Sequence, residues 1–240
     1  MPDPIQAGLW GVLAASALML GAIAALTLSV SRRVVALVMA FGAGALVSAL
    51  AFDLSEEAFR VGGTLIFGLG IAAGAVGYYA GNRLVKRFGG RREASGRRTN
   101  GPAIVLGVLL DGIPESLVLG ATLIGGAGIS PSFLAAVAVS NLPEGMAGTR
   151  DLIHEGHQRR WVIGLWLVVI TVSGFAAAIG NAFLSDIGSK PLAFAQSIAA
   201  GSILTMLADT MFPEAFENGG DRVGLATALG FAAAFLLSRT

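Results

Sequence analysis

Leu109-Leu110-Asp111-Gly112-Ile113-Pro114-Glu115-Ser116 and, one loop later, Ser140-Asn141-Leu142-Pro143-Glu144-Gly145 decide how this chain is read. Each stretch lies inside a long apolar run and sets a carboxylate beside a helix-breaking proline. Asp111 and Glu115 are four residues apart, so a helix carries both on one face. Asn141 and Glu144 are three apart and share a face in the same way. Pro114 and Pro143 donate no backbone hydrogen bond and are expected to free the carbonyls of Leu110 and Val139. At membrane depth, freed carbonyls and carboxylates persist where they are buried in protein or line a wet cavity. Oxygen ligands brought by two kinked helices to one point near the midplane imply a pathway for a cation.

The composition around these motifs is that of a membrane protein. Of 240 residues, 55% are hydrophobic and 13% charged, with a mean hydropathy of +0.76, which is too apolar for a soluble domain. The 34 glycines fit helices packed closely in lipid. The absence of cysteine excludes disulfides and thiolate metal ligands. No basic segment precedes the first apolar run, so no cleaved signal peptide is expected.

Eight apolar runs are near the ~20 residues that a bilayer requires. They fall at about 7–30, 34–52, 64–84, 103–124, 132–152, 161–184, 192–212 and 223–237, and predict an all-α membrane protein whose residues 1–240 form a single transmembrane domain. With the N-terminus outside, the inner loops collect Arg32, Arg33, Arg83, Lys86, Arg87, Arg91, Arg92, Arg97, Arg98, Arg150, Arg159, Arg160 and Arg222. The outer side keeps only Arg60, Lys190 and Arg239. This asymmetry predicts both termini outside and a basic cytoplasmic loop at 85–102, in a cell (inner or plasma) membrane. A cytoplasmic loop obeying the positive-inside rule accounts for those charges, so no nucleic acid is expected as a partner. Small-residue faces such as Gly68, Gly70 and Gly74 permit a homodimer.

Sliding the chain by 157 residues superposes Ala43-Gly44 on Ala200-Gly201, Leu50-Ala51 on Leu207-Ala208, and Glu57-Ala58-Phe59 on Glu214-Ala215-Phe216. The first copies belong to the second span and its outer end, the others to the seventh span and its inner end. These two spans cross in opposite directions. An inverted repeat of helices 1–3 and 6–8 follows, with helices 4 and 5 between them in a 3+2+3 arrangement, a plan that places sites at the midplane.

Four acids lie well inside the spans: Asp111, Glu115, Glu144 and Asp209. Each ionised acid at a helix centre costs roughly 2.5–3.5 kcal/mol. No Lys or Arg lies deep in a span to offset them, so a cation or protonation must. Asn141 and Ser140 add neutral oxygens, and Asp53 sits near the outer end of span two. Ser48, Ser173 and Thr205 could line the path. His154 and His157, near the inner end of span five with Asp151 and Glu155, could receive a departing metal. Intramembrane acid–base catalysis would need a nucleophile, and no Ser lies beside a His within the spans. No enzyme activity and no organic cofactor are therefore expected.

On these residues the chain resembles the ZIP (Zrt-, Irt-like protein) family of divalent metal transporters, over nearly its whole length. That resemblance implies eight spans, outer termini, and a binuclear metal site built from Pro-Glu motifs on spans four and five. It further implies uptake of a divalent metal into the cytoplasm, by movement of spans one, four, five and six against the rest. The Asp209-Thr210-Met211-Phe212-Pro213-Glu214-Ala215 ending of span seven is also similar to the family. The departures are specific. Asp111 stands where the family usually has His, and Gly112 where it has Asn. Ser140 replaces a frequent His or Gln, and Ser173 or a neighbour replaces a span-six acid. The remaining oxygen set of Asp111, Glu115, Asn141 and Glu144 shifts preference from zinc toward manganese, magnesium or ferrous iron without excluding zinc. A second reading of the same departures is a degenerate relative that senses metal or carries another substrate.

Overall fold

In the computed structural model, which describes residues 3–88, 101–124 and 129–239, every regular element among the described residues is helical. The expected basic loop falls largely on 89–100, outside the described residues. Its described flank, Arg83 to Arg87, is the last turn of a helix.

Helix α1 (Asp3–Thr27) leads through a short connector to α2 (Arg32–Ala49). Ser31 caps α2 with its hydroxyl oxygen 3.3 Å from the amide of Val34, which satisfies one of the amide donors that a helix start leaves open. Hydropathy suggests a break after residue 52. The chain instead stays helical, passing through a π-helical segment at Leu50–Ser55 into α3 (Glu56–Phe88). The break comes at Gly63, whose φ of 70° and ψ of −180° suit glycine alone. The segment between is polar but contains no proline, and Glu57 pairs with Arg60 one turn later, 2.6 Å apart.

Helix α4 (Gly101–Ala121) and α5 (Pro131–His154) each run through their internal proline without interruption. Ser130 caps α5, accepting from Phe133 N at 3.1 Å. Helices α6 (Arg159–Leu184) and α7 (Ser189–Met206) follow. A second π-helical segment, Leu207–Met211, carries α7 into α8 (Phe212–Gly219), and a single 3-10 turn joins that to α9 (Val223–Leu237). The two π-helical segments begin at Leu50 and Leu207, 157 residues apart.

Four stretches among the described residues are long and apolar enough to cross a membrane: Asp3–Thr27, Arg32–Arg87, Arg159–Leu184 and Ser189–Leu237. Many large apolar side chains on these stretches face outward, including Leu9, Leu13, Leu20, Leu65, Val76, Leu167 and Phe183. That is the surface that lipid would cover.

Packing is close and reciprocal. A Cβ on Gly21 of α1 would run into the carbonyl of Leu142 on α5, and one on Gly145 of α5 into that of Leu18 on α1. Gly120 of α4 meets Ala177 of α6 in the same way, while Gly180 of α6 would approach the Leu117 carbonyl to 3.0 Å. Gly74 of α3 lies against Ile198 of α7, and Gly201 of α7 against Ile71. Gly44 of α2 lies against Thr227 of α9, and Gly230 against Phe41. Removing the side chain at each crossing lets two backbones touch, the usual means of joining helices in lipid. One apolar cluster extends from α2 through α5 and α7, with Leu46, Leu54, Phe133, Ile203 and Leu207 at its heart. A second joins α1, α5 and α6 around Leu18, Leu152 and Trp166.

Candidate metal centre

Asp111 and Glu115 occupy successive turns of α4 on either side of Pro114. Asn141 and Glu144 do the same around Pro143 on α5. Glu115 is 2% exposed, and its Oε1 has no hydrogen-bond partner. A buried acceptor left unsatisfied costs roughly 1–3 kcal/mol. Glu144 is half-buried, and Glu115, Asp111 and Glu214 all lie close enough to repel it. Four carboxylates from α4, α5 and α8 therefore share one electrostatic neighbourhood.

The neutral groups are already engaged. Asn141 donates its amide to the carbonyl of Ala14 on α1 at 3.2 Å, and Ser140 donates to Val137 O at 2.9 Å. Asp111 accepts a hydrogen bond from the phenol of Tyr78 on α3 at 2.5 Å. Sequence reasoning missed Tyr78. Nothing separates it from its neighbour Tyr79 in the chain, yet Tyr78 is 3% exposed and Tyr79 is 53% exposed. Among the described residues, no three His, Asp or Glu side chains come near enough together to hold a metal ion as placed.

The other candidates lie apart from this centre. Asp53, in the first π-helical segment, accepts hydrogen bonds from Ser130 at 2.9 Å and from Ser132. It thereby ties that segment to the start of α5. Asp209, in the second π-helical segment, is exposed in a pocket with Tyr79, Asn82, Arg83 and Lys86. His154 is exposed at the end of α5. His157 stacks on Trp161 with ring centroids 4.2 Å apart and lies 3.7 Å from Glu155. Burial raises the Glu155 carboxyl above the usual carboxylate range, with His157 acting in the opposite direction. Ser48 and Ser173 are buried, the first with an unpartnered hydroxyl. Gly112 turns toward Ser173: a Cβ there would lie 3.8 Å from its hydroxyl oxygen and meet nothing else within 4 Å.

No family model matches the chain. A protein of Arabidopsis thaliana named "Putative zinc transporter" is 27% identical to it over 175 residues, 71% of this chain. The chain spans 28% of that protein's length. A helical membrane protein with a likeness to a metal transporter is the reading that the helices and this relative support together.

Proposed function

We propose that the chain is a ZIP-like transporter that moves a divalent cation, of the zinc, manganese or iron class, into the cytoplasm by alternating access. Asp111, Glu115 and Glu144 supply the charge and Asn141 with Ser140 the neutral oxygens, halfway along α4 and α5. The observation that carries this reading is Glu115: a carboxylate 2% exposed, with an unpartnered oxygen, among the acids Asp111 and Glu144 and with no buried basic partner among the described residues. A cation arriving there offsets both the repulsion and the lost hydration, and the cation is the cargo.

Eight membrane crossings in a 3+2+3 order, both ends outside, form part of the proposal. Its support is the break at Gly63, the paired π-helical segments, and the reciprocal glycine crossings. Leu18 and Gly21 of α1 stand 159 residues before Ala177 and Gly180 of α6, which make the matching contacts. An inverted repeat accounts for that pairing, and the crossings that join α4 to α6 and α5 to α1 support a body of α1, α4, α5 and α6 that moves against the rest.

The test is uptake into proteoliposomes of zinc, manganese, ferrous iron and magnesium. Glu115→Ala and Glu144→Ala are each expected to reduce uptake at least about tenfold with the fold intact, the scale of losing a ligand or its support. Uptake unchanged in both variants would overturn the transporter reading. The spread of the acids, with no three together in ligand range, favours one further reading: a relative that binds metal without moving it. Saturable binding with no uptake in the native protein would select it.

A further inference from the structure

We infer that Asp53, Ser130 and Ser132 form a latch that holds one end of the seam between the two helix bodies shut, and that parting them lets the bodies open on that side. The inference rests on the proposed alternating access and adds the contact that regulates it.

The glycine crossings fall into two sets. Gly21 and Gly145 join α1 to α5, Gly120 and Gly180 join α4 to α6, and Gly11 of α1 packs on Ala177 of α6. Gly74 and Gly201 join α3 to α7, and Gly44 and Gly230 join α2 to α9. A seam between the two sets runs along α2 and α5, where a Cβ on Gly42 would stand 2.9 Å from Ser140 Cα. Asp53 lies eleven residues after Gly42, and Ser132 eight before Ser140. At ~1.5 Å per residue, a second contact therefore closes the seam roughly 12–16 Å away. By the proposed orientation it stands at the outer end.

That second contact is polar. Ser130 donates to Asp53 Oδ2 at 2.9 Å, and Ser132 donates to the same oxygen. Ser130 Oγ also accepts from Phe133 N at 3.1 Å, which leaves its proton for the carboxylate. The charge stands at the N-terminal end of α5, where a helix favours an anion. Ser132 is 1% exposed, so its hydroxyl exchanges the carboxylate for water only when the seam opens. Asp53 is carried by the π-helical segment Leu50–Ser55, a form that recurs at functional positions in helices. Hydrogen bonds weaken steeply with misalignment, so a slide of α5 by one turn breaks the set together. Contacts made in one state alone bias the equilibrium toward that state.

The experiment is thiol labelling of the full chain in nanodiscs. Ala136 lies between Ser132 and Ser140 at four-residue spacing, hence on the seam face of α5, and is 1% exposed. Val169, also 1% exposed, lies in the cluster of α1, α5 and α6, inside one body. The chain has no cysteine, so Ala136→Cys and Val169→Cys each carry a single thiol. Asp53→Ala is expected to speed maleimide labelling of Ala136→Cys about tenfold, the scale of losing hydrogen bonds to a charged group, and to leave Val169→Cys protected. Ser132→Ala, which keeps the charge, should give a smaller rise and decides alone if Asp53→Ala does not fold. If Ala136→Cys does not fold, the thiol moves to Ala49→Cys, 1% exposed and seven residues after Gly42 on the seam face of α2. An unchanged rate at the seam would overturn the latch. Equal acceleration at Val169→Cys would overturn it too, because it marks general loosening. Native protein that moves no metal, with the seam thiol still released by Asp53→Ala, would overturn the transporter reading and leave the latch standing.

Discussion

At position 111 the chain offers an aspartate, and at 112 a glycine, and in the proposed site these two residues set the ligand chemistry. An aspartate gives hard oxygen where imidazole would favour zinc. The glycine gives no ligand, but it leaves room for one: a Cβ there faces Ser173 Oγ at an ordinary 3.8 Å. The variant to test is Asp111→His with Gly112→Asn. It should swing uptake from manganese or magnesium toward zinc, by about tenfold in the ratio. Parallel uptake of the two metals in native and variant proteoliposomes measures this, and an unchanged ratio would show that α4 does not set selectivity. The acids themselves were legible in the sequence, because charge inside an apolar run has few explanations. Tyr78 was not. A tyrosine beside another tyrosine on an apolar helix carries no mark of which one faces inward, and only the rotation of α3 against α4 and α7 decides it.

At the scale of the helices, glycines mark the crossings, and their roles differ although their composition is the same. Gly74 and Gly68 lie six residues apart on α3. A Cβ at Gly74 would collide with the Ile198 carbonyl of α7, while one at Gly68 meets nothing within 4 Å. Helix propensity predicts that Gly→Ala stabilises both by roughly 0.5–1 kcal/mol. Packing predicts opposite signs. Gly74→Ala should destabilise by about 1–3 kcal/mol, because the backbone of α7 must move away, and Gly68→Ala should be neutral or better. Thermal unfolding of the two variants in detergent distinguishes these, and equal shifts would mean that α3 and α7 do not touch as described. The glycine content pointed to close packing, but not to which glycine meets which carbonyl. The π-helical segments were likewise hidden, since Leu50–Ser55 and Leu207–Met211 contain neither Pro nor Gly to mark an irregular helix. Each carries an acid, Asp53 or Asp209. Hydropathy reads Asp53 and the polar residues after it as the end of a span, whereas the backbone breaks only at Gly63.

For the molecule as a whole, the reciprocal crossings carry a register that the motifs do not follow. Leu117 and Gly120 of α4 correspond by their contacts to Leu142 and Gly145 of α5, an offset of 25 residues. Pro114 and Pro143 are 29 apart, one helical turn more. By packing, Glu115 is matched with Ser140 rather than with Glu144. The proposed transport also needs a direction across the membrane. The thirteen basic residues assigned to one side predict that direction, because each charged group carried across the bilayer during insertion opposes it. The chain has no cysteine, so single introduced thiols report on an otherwise silent background. Ser29, exposed between α1 and α2, should lie in the cytoplasm, and Asp186, exposed between α6 and α7, outside. In intact cells a membrane-impermeant maleimide should label Asp186→Cys fully and leave Ser29→Cys unlabelled until the membrane is opened. The opposite pattern would reverse the orientation. Labelling of both from one side would mean that an odd number of crossings does not separate them, and the inverted relation of the two halves would fall with it.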